Sequence, residues 1–390
     1  MNDSSLAVIE IHTCGLEQYC NKWKLQINTE KTKIMIFSRG KPKLHNHNFK
    51  IGNSTIEVVK DFKYLGVTFT SNGYFINNIR ELKKQGNRAI FSLIKKARKG
   101  NLPIDIQFDC FDKTVLPILL YGCEIWGFRN FSILEKLHLK FCKLVLKLKK
   151  STPDIMVYGE TGRFPLEYYA NKRIINFRET IACGNKINCL ILSMTYAKKR
   201  YLNDERSSPE WFRNLANTLT RNGFNFIPSQ EAIIKEAVKQ MHINLKNDYI
   251  NNWMDKVNST PKCSVLYKYI KTVFEREYYL PHLPYDLRLA MSRIRTCNHR
   301  LPIEAGRYGA NRANREDRKC TKCNSGLVGD EFHFLLTCTN PDLMDLREKY
   351  ISPYCFSSPT MEKLAELFNN RGRKLFKLAR YIVEGLKLYS

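Results

Sequence analysis

The chain has 390 residues, of which 43% are hydrophobic and 12% aromatic, enough apolar material for two or three separately cored domains. Its 64 Lys and Arg against 37 Asp and Glu give a formal net charge of +27, which selects polyanionic partners. No apolar run approaches the roughly 18 residues that cross a bilayer, Glu10 interrupts the N-terminal apolar stretch, and the 13 cysteines are scattered, so neither a membrane nor a secreted protein is expected, and RNA or DNA partners in a nuclear or cytoplasmic setting are.

Residues 16–37 read as a short helix, a turn and a buried strand run, Ile34-Met35-Ile36-Phe37. Two short strands near 49–51 and 55–59 follow, with Gly52-Asn53 as a hairpin signal, and Tyr64 to Phe69 reads as a further strand stopped by Ser71-Asn72-Gly73. The pattern then turns helical. Ile76, Ile79, Leu82, Ala89, Ile90, Leu93 and Ala97 share a face that ends at Gly100, a helix is expected over 106–121 with a kink at Pro117, and another over 133–150. Helices are expected near 165–200, 229–258 and 263–278, with a polar linker over 203–209. Residues 281–315 read as loop-rich because of Pro281, Pro284, Pro302 and Gly306, and helices at 341–350 and 360–388 close the chain. Trp23, Trp126, Tyr64 and Phe69 are expected in cores, as are the thiols of Cys14, Cys110, Cys142 and Cys183.

Cys320, Cys323, His333 and Cys338 stand at C-x2-C-x9-H-x4-C, a spacing suited to tetrahedral zinc, with Gly326 and Gly329 in the turn between the pairs. The expected cofactor is therefore structural Zn²⁺. His299 is compatible with a phosphate contact or a further ligand and is assigned to neither. Basic residues recur at helical spacing: Lys83, Lys84, Arg88, Lys95 and Lys96 on one helix, and Lys136, Lys140, Lys143 and Lys147 in steps of four, three and four on another. Arg307, Arg312, Arg315 and Arg318 lead into Cys320. Rows of this kind suit a phosphate backbone and read no bases.

The segments Tyr19 to Asn28 and Lys31 to Phe37 resemble the last palm elements of reverse transcriptases of non-LTR (LINE-type) retrotransposons. Tyr64-Leu65-Gly66-Val67 resembles the strand that follows, which in that family grips the primer end, and Leu119 to Trp126 resembles a signature near the thumb. Arg293-Ile294-Arg295, His299, Leu301, Ile303-Glu304, Gly306-Arg307-Tyr308 and the stretch Glu331 to Cys338 are similar to the segment that ends many such elements. About 155–255 carries no such likeness.

The predicted elements and the resemblance together give a predominantly α-helical α+β chain. The resemblance implies a small antiparallel palm remnant over 1–72, a thumb-like helical domain over 73–152 and a basic loop and CCHC zinc module over 286–345, while the helical pattern gives a connector over 153–285 and C-terminal helices over 346–390. The resemblance also implies two Mg²⁺ ions held by palm aspartates. Here Met1–Gly15 offers only Asp3 and no Asp-Asp pair occurs in the sequence, so Mg²⁺ is expected only if the missing palm is supplied, and no catalytic residue is assigned. Three readings stand: a truncated reverse transcriptase that retains template and primer binding, a fragment of a longer enzyme performing target-primed DNA synthesis, or a zinc-containing RNA- or DNA-binding protein derived from one. The 1–72 segment is expected to be the least stable part, its strand edges exposed.

Overall fold

The computed structural model describes residues 15–37, 49–128, 131–183, 188–221, 231–260, 265–307 and 312–389. The chain is predominantly helical, with two small antiparallel sheets of two strands each among the described residues. It divides into two compact units, Met1–Gly86 and Asn87–Ser390. The division falls within the long helix Ile76–Lys99, whose Ile79, Leu82, Ile90, Leu93 and Ala97 are buried as their spacing requires.

In the first unit, β1 (Lys50–Ile51) and β2 (Ser54–Thr55) form the hairpin expected around Gly52-Asn53. Ile36, Phe49, Ile51 and Ile56 make a small core with Ile27, Ile34 and Val58 against it. The run Ile34 to Phe37 does not form the expected buried strand. It contributes a single parallel bridge, Ile34 to Val58, and Phe37 points outward at 60% exposure. The segment around Tyr64 also differs: it is a hairpin, β3 (Asp61–Tyr64) and β4 (Val67–Thr70) paired from Asp61–Thr70 to Tyr64–Val67. Leu65 and Gly66 both take positive φ, +46° and +84°, the geometry of a two-residue turn matched to strand twist. Gly66 is thus a reversal point. Tyr64 and Trp23, expected in a core, are 59% and 60% exposed.

In the second unit the helix expected over 106–121 is three pieces. Ile104–Cys110 runs into a widened π turn, Phe111–Val115, and then Leu116–Leu119. The wide turn precedes Pro117, whose nitrogen has no proton for a regular ladder. Helix Ser132–Val145 buries Leu134, Leu137 and Phe141, stacking Phe141 on Phe111 at 4.4 Å, and ends five residues short of expectation, with Lys147 in a left-handed conformation. Cys142 is buried and Cys110 half-buried; Cys14 lies outside the described residues, and so does the side chain of Cys183.

Helices Leu166–Cys183, Glu210–Arg221 and Glu231–Ser259 enclose a core of Ile174, Ile175, Leu215, Leu219, Val238 and Met241. Indole hydrogen bonds from Trp211 to the Glu124 carbonyl and from Trp253 to the Ile155 carbonyl, both 2.8 Å, tie this bundle to the preceding helices.

The helix expected over 263–278 stops at Ile270, and the region expected to be loop-rich contains the helix Tyr285–Arg295, started by Pro284. Proline is disfavoured inside a helix, but Pro284 stands at the N-cap just ahead of Tyr285, where its missing N–H interrupts no helical hydrogen bond, so it serves as a start rather than a break. The residues between these helices carry a buried ion network. Arg295 Nε donates to Glu160 Oε2 at 2.9 Å and Arg295 Nη2 lies 2.9 Å from Glu277, while Tyr279 Oη donates to Glu160 at 2.8 Å and Lys271 pairs with Glu277. At the C-terminus, Pro341–Tyr350 and Met361–Phe368 precede Gly372–Lys387, which packs on both Tyr285–Arg295 and Pro341–Tyr350. No helix among the described residues is long and apolar enough to cross a membrane.

Candidate metal centre

Two local structures carry the four candidate ligands. Cys320 and Cys323 lie on a tight loop pinned where the Cys320 N–H donates to the Leu327 carbonyl at 2.8 Å and Lys319 pairs with Val328. Gly326 makes the loop possible at φ +68°, and Gly329 is needed for a different reason: a Cβ there would lie 2.7 Å from the Pro302 ring. His333 and Cys338 bracket a π turn, His333–Thr337, closed by the Cys338 N–H on the His333 carbonyl at 2.8 Å. A π turn repeats after about four and a half residues, so positions i and i+5 share a face. That is why H-x4-C brings its two side chains together.

The four ligand atoms lie within 4.8 Å of one another. Cys320 and Cys338 Sγ are 3.9 Å apart, and Cys323 Sγ is 3.3 Å from His333 Nε2. Zinc bond lengths in a regular tetrahedron require roughly 3.8 Å between sulfurs and 3.6 Å from sulfur to nitrogen. The residues fit the ion, and four protein ligands would close its coordination shell.

Surrounding groups orient the ligands. His333 Nδ1 faces Thr337 Oγ1 at 3.0 Å, leaving Nε2 toward the cysteines. The Lys322 N–H donates to Cys320 Sγ at 3.4 Å, Ser325 Oγ lies 3.1 Å from Cys323 Sγ, and Tyr389 Oη lies 3.3 Å from Cys320 Sγ. Arg347 donates to the carbonyls of Leu335 and Cys338, both at 3.0 Å, and holds the π turn from behind. None of these supports was apparent from spacing, although Thr337 stands four residues from His333, within one helical turn.

The thiols differ in acidity. Burial works to raise Cys323, but hydrogen bonds from Ser325 and His333 outweigh it and bring the thiol down to about 5. Burial and the neighbouring sulfurs of Cys320 and Cys323 push Cys338 up to about 12. Several thiolates this close repel one another, and a divalent cation removes the conflict by stabilising every ionised sulfur. His299, left unassigned above, is buried and paired through Nε2 with Glu331 at 3.0 Å.

The basic candidates fall into two groups. Lys83, Lys84, Arg88, Lys95 and Lys96 are exposed along Ile76–Lys99, with Lys84 paired to Glu81. Lys136, Lys140 and Lys147 are exposed too. Lys143 is not: its ammonium bonds Asp154 at 2.7 Å and the Lys150 carbonyl at 3.0 Å. Arg312 is exposed, whereas Arg307 pairs with Glu304 at 3.1 Å and Arg315 lies 3.6 Å from Asp330. Arg318 spends its guanidinium on the carbonyls of Ala313 and Ile303, so it holds the loop leading to Cys320. Tyr64, Leu65 and Gly66 occupy the exposed hairpin tip of the first unit.

No family model matches the chain, and no solved structure matches it. The chain is similar to a putative uncharacterized transposon-derived protein of Caenorhabditis elegans, 26% identical over 133 residues, which is 34% of this chain and 47% of that protein. The match therefore spans about half the length of this curated relative.

Proposed function

We propose that the chain is the C-terminal part of a non-LTR retrotransposon reverse transcriptase, with the end of the palm, the thumb and a zinc module, and that it holds RNA or DNA. The Cys320, Cys323, His333 and Cys338 group carries the reading, because its geometry suits zinc and it stands where the resembling family places its terminal module. The order of the resembling motifs and the similarity to a transposon-derived protein support it. Zinc would supply a structural cross-link between the cysteine loop and the π turn, with no open position for substrate. Exposed lysines on Ile76–Lys99 and Ser132–Val145 would meet phosphates. The hairpin tip at Tyr64 to Gly66 favours the related reading, in which this part serves as the primer and template clamp of a longer, Mg²⁺-dependent enzyme.

The test combines metal content with salt-dependent binding. The purified chain is expected to carry one zinc, lost in the Cys320→Ser, Cys323→Ser protein. Its affinity for RNA or DNA should fall with salt by a log–log slope of roughly −0.7 per phosphate neutralised on a single strand. Unchanged zinc in the double variant, or binding indifferent to salt, refutes the reading.

A further inference from the structure

We infer that a groove beside the metal centre, floored by Tyr389 and rimmed by Arg300, Lys319 and Lys322, is a binding site for single-stranded nucleic acid, in which one base stacks on the tyrosine and the adjoining phosphates meet the cations. The inference rests on the nucleic-acid reading above and names the part of the surface that performs it.

The groove encloses about 370 Å³ and four of its lining side chains are cationic, against one carboxylate, Asp317. Arg318 is one of the four, and its guanidinium is committed to the Ala313 and Ile303 carbonyls. Arg300, Lys319 and Lys322 are exposed. Such a surface attracts a polyanion.

Tyr389 adds what a phosphate clamp alone lacks. It is held at several points: its hydroxyl lies against Cys320 Sγ at 3.3 Å, its ring meets Phe334 edge-on at 5.9 Å, and Lys322 Nζ sits 5.6 Å from its centroid. The ring is nonetheless only half-buried. An aromatic ring fixed in orientation, partly open to solvent and flanked by an ammonium group is an arrangement suited to an unpaired base together with its phosphate. A duplex keeps its base faces covered by stacking and could use only the cations. This contrast selects a single strand.

The metal centre and the groove share parts. Lys322 lies between Cys320 and Cys323 and its amide donates to Cys320 Sγ, while Tyr389 touches the same sulfur. Loss of the metal would free the loop that positions Lys322, so occupancy of the groove should require zinc.

The experiment is fluorescence anisotropy of labelled single-stranded RNA and DNA and of a duplex of matching sequence, with the full chain and the variants Tyr389→Ala, Tyr389→Phe and Lys322→Ala. Zinc content is measured on each to show that the module remains folded. Tyr389→Ala with zinc retained is expected to weaken single-strand binding roughly 5- to 150-fold, the range for one stacked base, and to leave duplex binding within about twofold. Tyr389→Phe keeps the ring and should retain most of the affinity. Lys322→Ala should flatten the single-strand salt slope by about 0.7. If Tyr389→Ala loses zinc, Lys322→Ala alone decides the matter by that slope. Wild-type binding that is salt-dependent but unchanged in both alanine variants overturns the groove and leaves the wider nucleic-acid reading standing. Equal losses for single strand and duplex overturn the single-strand assignment. Absence of any binding by the wild-type chain overturns both.

Discussion

Replacing Arg295 by Met tests the ion network that joins the start of the middle bundle to the C-terminal region. Arg295 is 1% exposed and Glu160 wholly buried, and they share contacts of 2.9, 3.1 and 3.2 Å. Burial pushes the Glu160 carboxyl up and the guanidinium opposes that push. In the intact network Arg295 and Lys271 balance Glu160 and Glu277. Removing Arg295 leaves two carboxylates facing one lysine, and breaking a buried pair from one side costs about 3–5 kcal/mol. For a unit of this size that corresponds to a fall of roughly 6–10 °C in Tm, at about 2 °C per kcal/mol. Glu160→Gln combined with Arg295→Met removes the stranded charge, and the double variant should recover a large part of the loss. Calorimetry on the wild type, both single variants and the double closes the cycle. A single Arg295→Met variant within about 1 kcal/mol of wild type, or a double variant showing the full sum of the two losses, refutes this account of the network.

The Glu135 carboxyl gives a pH dependence of known sign. Burial would raise it, but hydrogen bonds from His138, Tyr158 and the Leu166 N–H hold it below its ordinary 4.5. Its stabilising contribution is therefore complete above that value and is lost as pH falls through the lowered one. Urea unfolding as a function of pH should show stability falling on acidification, less steeply in Glu135→Gln; identical slopes would contradict the assignment. On the Ser132–Val145 helix, Lys136→Ala with Lys140→Ala should reduce the salt slope of nucleic-acid binding, whereas Lys143→Ala should leave it alone because Asp154 already holds that ammonium. An equal effect of Lys143→Ala would place the contact surface elsewhere. In the first unit every described strand belongs to a two-stranded hairpin, an arrangement of marginal stability. Hydrogen exchange should find the amides of β1–β4 less protected than those of Leu166–Cys183 or Gly372–Lys387, and equal protection would count against it.

Much of the helical layout was legible because it depends on repeated local spacing. Ile79, Leu82, Ile90 and Leu93 announced their buried face, and Gly52-Asn53 its turn. Elements failed where one residue changed the local geometry: Gly66 turned an expected strand into a hairpin tip, and Pro284 began a helix in a stretch read as loop. Trp23 and Tyr64 were misread because an aromatic side chain does not reveal which surface covers it.

The metal centre divides along the same line. The sequence by itself determined the four candidate ligands, since zinc chemistry demands those side chains and short loops enforce their spacing. It also determined the excess of positive charge, which no fold can remove. Only the tertiary structure decided which charges face water: Lys143 and Arg318 are turned to Asp154 and to loop carbonyls, while Lys136, Lys140, Lys319 and Lys322 remain outside. It alone brought Tyr389 to Cys320 across 69 positions of sequence, and Arg295 to Glu160 across 135. Spacing constrains residues joined by one turn of chain, whereas contacts across such separations follow from how helices pack, and periodicity carries no record of that.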